Sequence, residues 1–262
     1  MTSPADFWLR AIWPAPPHVR TLMTDRHGGV STPPWDSMNL GDHVGDERAH
    51  TQINRQRLQS AVGASVVFLN QVHGHQVVHL NAGSAQGTEA DACVATDPSV
   101  ACTIMVADCL PVLMCDTQGQ WVAAAHAGWR GLAGEGGLGV LESLRGSSPV
   151  GQTRAEDILV WLGPCIGPQA FEVGAEVVAA FCDKGSSAEH LFKPLRPGKW
   201  LADLAGLARL RLRQLGIERV YGNNSQSDWC TVTNSVRFFS HRRDSPTLGQ
   251  SGRMAACIWL EP

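Results

Sequence analysis

Three side chains of this 262-residue chain invite chemistry together: His73 in QVHG, Cys109 in ADCLP and His126 in AAAHAGW. One thiolate and two imidazoles form a donor set suited to zinc. Three protein ligands leave a fourth position for water or substrate, which is catalytic rather than structural in character. The separations of 36 and 17 residues match no compact metal motif. A second chemistry uses the same residues without metal: Cys109 as thiolate nucleophile for acyl transfer, His126 as its base, and glycine-rich turns as backbone donors. Spacing does not separate the two, and a buried thiol with hydrogen-bonded core histidines is the ordinary alternative to both. Asp108 is a candidate to orient a histidine, or a solvated turn residue. Arg26, Asn39, Gln71 and Arg130 lie in or beside turns and are candidates to hold a polar substrate or phosphate, although each taken singly also reads as loop structure.

The elements that must position these residues are short and apolar. Segments 100–106, 111–115 and 121–125 read as buried strands bounded by turn residues, with Cys109 in the sharp turn between the first two and His126 at the end of the third. Segments 66–70 and 76–80 are strand-like and flank QVHGH, so a hairpin or strand corner carries His73 at its tip. Four prolines make residues 1–18 an extended entry segment, followed by a strand over 19–24. The Pro-, Gly-, Asp- and Asn-rich stretch 31–47 is a long ordered loop of the kind that is often functional. A helix over 47–62 is expected to bury Ile53, Leu58 and Val62.

Further on, 131–145 is a glycine-diluted helix, 158–162 a strand ending in the GPCIGP turn around a small buried Cys165, and 173–182 a helix. The clearest helix is 201–215, with leucines on one face, a solvated face of Arg209, Arg211 and Arg213, and Gly216 to stop it. Short strands are expected over 219–222 and 236–241, and a last strand over 254–260; His241-Arg242-Arg243-Asp244 reads as a loop ion pair before it reads as a substrate patch.

Composition narrows the class. A formal net charge of −3 gives no basic surface for nucleic acid. No apolar run approaches the ~18 residues of a membrane span, and prolines and charges break up the N-terminal stretch where an export signal needs an apolar core. A cytoplasmic monomer acting on a small molecule is expected. The eight cysteines are scattered through apolar runs and read as buried thiols in a reducing compartment.

Taken together, NQVHGHQV (70–77), DACVAT (91–96), VADCLPVLMCD (106–116), AAAHAGWRG (123–131), GPCIGPQAFEVG (163–174), TDRHGGVS and SMNLGDHVGD resemble the YfiH family, also called the laccase-domain or multicopper polyphenol oxidase-like family. The resemblance runs from about Thr24 to the last strand. It implies one α/β domain across 1–262, built of layered mixed β-sheets flanked by helices and related to the catalytic domain of cytotoxic necrotizing factor. It also implies zinc on His73, Cys109 and His126, with copper as the alternative. Family members are described as purine nucleoside enzymes that combine phosphorolysis of adenosine, inosine, guanosine and methylthioadenosine with adenosine deamination. Others are described as copper polyphenol oxidases, and bacterial members as peptidoglycan-editing amidases that remove L-serine from muropeptide precursors. Zinc has no redox couple, so the three ligands suit hydrolytic or phosphorolytic chemistry better than oxidation. The leading expectation is a zinc enzyme acting on a purine nucleoside and phosphate. The amidase, the oxidase and a non-catalytic metal-binding protein are the alternatives.

Overall fold

Alternation of side chains along the central strands sorts the protein into four layers. The computed structural model describes residues 8–182 and 187–262. One sheet has the order β1 (Val19–Met23), β13 (Met254–Leu260), β5 (Val100–Val106), β2 (Ser65–Val67). A second, six-stranded sheet runs β12 (Val220–Gly222), β8 (Ile158–Leu162), β6 (Leu110–Asp116), β7 (Val122–Ala127), β4 (Ala92–Ala95), β3 (Val77–Leu80). Both are mixed: β2–β5, β3–β4 and β8–β12 pair in parallel and the remaining neighbours antiparallel.

Cys102, Ile104 and Val106 of β5 meet Leu113 and Cys115 of β6 and Val122 and Ala124 of β7 in the space between the sheets. Because successive strand residues point to opposite faces, Ala101 and Met105 face outward against Leu58 and Val62 of helix α1 (Arg48–Val62). On the far side Leu110, Val112 and Met114 pack with Leu141 and Leu144 of α3 (Val140–Gly146) and Leu207 and Leu212 of α5 (Leu204–Gln214). A small sheet of β10 (Phe192–Arg196), β11 (Lys199–Ala202) and β9 (Glu172–Gly174) completes the mixed α/β domain.

Consecutive strands β5 and β6 belong to different sheets, so the turn carrying Asp108 and Cys109 crosses from one sheet to the other. The segment between β2 and β3 makes the same crossing. It is therefore a corner and not a hairpin, with Asn70 bridging Glu89 in parallel on the way. Two of the three candidate ligands thus sit at the seam of the sandwich, and the pairing of Pro111 with His126 brings the third alongside Cys109.

Other expectations are corrected by packing. Ile53 is exposed; α1 buries Thr51, Asn54, Leu58 and Val62, because Asn54 ties down the loop before it through bonds to Val30, Ser31, Ser37 and Asn39. The 131–145 helix is two helices, α2 (Trp129–Ala133) and α3, parted by a glycine-rich stretch. Residues 172–174 and 199–202 pair as strands before α4 (Ala175–Phe181) and α5 begin, and Asp203 caps α5 by accepting from the Gly206 amide at 2.8 Å. Arg209 and Arg211 are half-buried clamps rather than a solvated face: Arg209 donates to the carbonyls of Asn223 and Val220, and Arg211 to Glu142 at 2.8 Å. The weak strand over 236–241 is absent. A helix, α6 (His241–Leu248), starts there instead, with Ser240 as its cap accepting from the Arg243 amide. Residues 8–18 are largely irregular, with Leu9 bridging Met23; the first seven residues of the expected entry segment lie outside the described part.

Candidate active site

The ligand atoms of His73, Cys109 and His126 lie within 4.8 Å of one another. The Cys109 Sγ is 3.7 Å from His73 Nε2, and the two imidazole rings meet edge to face with centroids 4.7 Å apart. His126 is buried, Cys109 half-buried and His73 exposed, so the cluster is open on one side. That side faces a cavity of about 750 Å³.

Backbone geometry aims these groups. His73 and Asp108 both take positive φ, 62° and 86°, a conformation that costs most residues energy but that His and Asp adopt more readily than β-branched ones. The His73 turn is held by Asp91, the residue before β4. Its carboxylate accepts from the amides of Val72, His73 and Gly74 at 3.2, 3.0 and 2.7 Å, and its Oδ1 lies 2.8 Å from His126 Nδ1. One fully buried carboxylate therefore fixes two ligands at once. With Nδ1 engaged, Nε2 of His126 is the nitrogen left to serve the cluster, which is the arrangement that orients metal-bound histidines. Gln71 anchors the same turn to β5 by a two-way bond with the Met105 backbone, both at 2.8 Å.

Two glycines of HAGWRG make room for the cluster. A Cβ on Gly128 would fall 2.8 Å from His73 Cδ2 and 3.0 Å from Cys109 Sγ, and one on Gly131 would fall 2.6 Å from the Gly74 carbonyl oxygen. Close approach to backbone thus requires the glycine at 131, while the one at 128 spares two ligand side chains a shift.

Electrostatics favour a charged pair. Burial alone would raise the Cys109 thiol, but the charge and hydrogen bond of His126, aided by His73, bring it down to about 6. Burial would likewise depress His126, yet the Cys109 charge and the Asp91 hydrogen bond raise it to about 9. For Asp91 burial opposes ionisation, and the bond and charge of His126 with the Gly74 and Val72 amides prevail, holding its carboxyl below the ordinary range. A thiolate with two imidazole nitrogens converging on one point fits a tetrahedral metal with one free position. Among the described residues this is the one group of three such donors that converge closely enough to hold a metal ion.

The remaining candidates fall in different places. Asp108 does not hold a histidine: its Oδ1 accepts from Thr231 Oγ1 at 2.5 Å and its Oδ2 from the Arg242 amide at 2.6 Å. Arg130 and Gln71 line the cavity, Arg130 with its guanidinium 4.5 Å from the Trp129 ring centroid. Arg26 and Asn39 do not line it. Arg26 is spent on Asp36 and the Ser235 carbonyl, and buried Asn39 binds Gly41, Asp46 and the Arg253 amide. The sequence reading missed Asp91 and Arg253. A lone Asp entering a wholly apolar strand is a signal that could have found Asp91; nothing local marks Arg253, which joins the cavity by tertiary folding.

A sequence model described as multi-copper polyphenol oxidoreductase laccase matches residues 20–261. A Pseudomonas aeruginosa protein named purine nucleoside phosphorylase is 47% identical over 97% of this chain and 98% of its own length. The Escherichia coli K12 protein named purine nucleoside phosphorylase YfiH is 46% identical over 95% and 96%. Among solved structures, NMB0706 of Neisseria meningitidis superposes with a TM-score of 0.87 at 44% identity, covering 97% of this chain and 99% of its own. Coverage nearly end to end, with similarity in both sequence and fold, places this chain in the YfiH, or laccase-domain, family.

Proposed function

We propose that this protein is a purine nucleoside phosphorylase that works around a zinc ion held by His73, Cys109 and His126, and that the same site deaminates adenosine. The observation carrying this reading is the donor cluster on the floor of a cavity whose walls combine apolar surface with arginines. Ile166 and Phe171 offer apolar surface for a flat heterocycle, while Arg130, Arg242 and Arg253 offer positive charge for an anionic co-substrate. A volume of about 750 Å³ is of the size that takes a small organic ligand. Relatives 46–47% identical over nearly their whole length carry the phosphorylase name.

Bound zinc would supply Lewis acidity at the fourth position. The chain's own residues do the positioning. Asp91 holds His126 in one tautomer and presents His73 through its turn, and Cys109 is poised as a thiolate. In phosphorolysis a phosphate oxygen bonds to the ribose carbon as the glycosidic bond breaks and the base leaves with a proton; in deamination water adds to the purine carbon that bears the exocyclic amine, and the amine leaves as ammonia. A multicopper oxidase requires several metal centres, and the described residues bring together donors for one.

The test is metal analysis of the purified protein followed by assay of phosphate-dependent release of hypoxanthine from inosine, and of inosine from adenosine. Zinc near one equivalent, turnover, and its loss in Cys109→Ala are expected. Full zinc occupancy without turnover would sink the reading. Release of L-serine from a muropeptide precursor would point to the amidase, and copper in place of zinc to the oxidase.

A further inference from the structure

Arg253 is unusual among the arginines of this protein. Its backbone is clamped on both sides, the amide donating to Asn39 Oδ1 at 2.9 Å and the carbonyl accepting from the Leu40 amide at 3.0 Å. Its stem lies where a side chain on Gly41 would stand: a Cβ there would fall 2.8 Å from Arg253 Cγ. The Asn39-Leu40-Gly41 stretch of the long loop is therefore shaped to receive this one residue. Nη1 donates to the carbonyls of Ser251 and Gly252, which leaves Nε and Nη2 without an acceptor among the described residues. No carboxylate among the described residues pairs with it, although it is half-buried and lines the cavity. A withdrawn guanidinium with two idle donors and no counter-ion is costly unless something anionic meets it.

One neighbour strengthens the positive field, while two nearby histidines stay uncharged. Arg242 lines the same cavity, its Nη1 on the Glu172 carbonyl at 3.0 Å and with no acidic partner among the described residues. His241 and His43 also line it. Both histidines are held below the ordinary imidazole value, first by burial and then by cations: Arg253 and Arg242 act on His241, and Arg253 and Arg55 on His43, against Asp108 and Asp42 in the opposite sense. Arg253 lines the same cavity as Cys109 and Asp108; burial holds its pKa below the ordinary guanidinium value, against the opposing charges of those two groups.

We propose that Arg253, supported by Arg242, binds a phosphate oxyanion beside Cys109. The inference rests on the phosphorylase reading for which phosphate arrives: free inorganic phosphate as co-substrate or, under the amidase reading, a phosphate carried by a nucleotide-linked substrate. Planar guanidinium donors match phosphate oxygens two at a time, which a single lysine does not reproduce. The subsite also moves the phosphate-binding role away from Arg26, which is fully engaged outside the cavity.

The test is calorimetric titration of the metal-loaded full chain with inorganic phosphate, and separately with uridine diphosphate, alongside KM for phosphate and for inosine. Arg253→Gln is expected to weaken phosphate at least about tenfold and Arg253→Lys less, while the inosine KM stays within about threefold, as loss of a charge-assisted pair implies. Should Arg253→Gln fail to fold, Arg242→Gln, whose side chain holds one surface carbonyl, carries the same prediction at about threefold. Binding of uridine diphosphate but not inorganic phosphate, still dependent on Arg253, supports the subsite and identifies the substrate as the phosphate source. Phosphate binding that neither arginine variant weakens, or equal rises in both KM values, overturns it. Arg253-dependent binding without nucleoside cleavage would keep the subsite and remove the phosphorylase reading.

Discussion

Asp91 and Asp108 are both buried, both beside the donor cluster, and both saturated with hydrogen bonds, yet they serve different regions. Asp91 belongs to the floor: its carboxylate gathers three amides of the His73 turn and the His126 ring, so its bonds end on the ligands themselves. Asp108 belongs to the rim: its two oxygens receive Thr231 and the Arg242 amide, fastening the start of α6 to the turn that carries Cys109. An acidic neighbour of a ligand in sequence need not be its neighbour in chemistry. The floor is fixed to orient donors, and the rim is fixed to present cations.

The largest effect comes from breaking the floor. Cys109→Ala removes a ligand and is expected to abolish tight metal binding and turnover. Asp91→Asn keeps the shape but reverses one acceptor into a donor, which cannot serve three amides and an imidazole together. Metal affinity should fall ~10–100-fold, the usual cost of losing such a partner, measured by chelator competition. Asp108→Asn should leave metal affinity within about threefold of the parent by the same assay, because neither of its partners is a ligand. Equal losses in the two variants would show that floor and rim are one unit.

Gly128 sharpens the same contrast at lower cost. Gly128→Ala puts a methyl group against His73 and Cys109, side chains that shift more easily than backbone. The expected result is a loss of metal affinity smaller than that of Asp91→Asn, with a melting temperature lowered by only a few degrees, about 1 kcal/mol. A large loss of stability with metal affinity intact would mean that the glycine serves the fold and not the site.

The legible part of this protein was its frame. Segments 100–106, 111–115 and 121–125 fell on β5, β6 and β7 because uninterrupted apolar runs bounded by turns have few other solutions. The set His73, Cys109 and His126 was legible in donor chemistry and in the family resemblance rather than in spacing, and the sequence could not show that 66–80 turns a corner between two sheets, since sheet membership is decided by pairing at long range. The rim was least legible. Arg209 and Arg211 look like a solvated stripe until Asn223 and Glu142 fold against them, and α6 begins in a segment with no helical period, started by the Ser240 cap and carrying Pro246. Asp91 went unread because its four partners come from residues 17 to 35 positions away.

For Asp108 the expected effect is on the rim and on stability. Asparagine can satisfy one of its two donors but presents an amide to the other, a cost of about 1–3 kcal/mol for an unpaired buried group. Chemical denaturation should register that loss, and the KM for phosphate should rise with it as Arg242 loosens, while the metal stays bound. Unchanged stability would mean that Thr231 and the α6 amide find water instead.

The finest distinction is in proton placement, in the protein stripped of metal. Relative to ordinary values of 9.0 for the thiol and 6.5 for the imidazole, Cys109 is brought to about 6 and His126 to about 9. Folding therefore moves one proton from sulfur to ring. Taken alone, the lowered thiol makes stability grow with pH between about 6 and 9, lost again as pH falls through 6; the raised imidazole makes it decline between about 6.5 and 9. Native and unfolded chains hold equal numbers of protons on this pair across about 6.5–9, so the two slopes cancel and the pair leaves stability flat there. The thiolate itself remains visible by its ultraviolet absorbance, with a midpoint near 6 that vanishes in Cys109→Ala. Asp91→Asn withdraws a bond that stabilises the imidazolium and should move that midpoint upward. Asp108→Asn, touching neither group of the pair, should leave it in place, and a shift as large as that of Asp91→Asn would erase the difference between floor and rim.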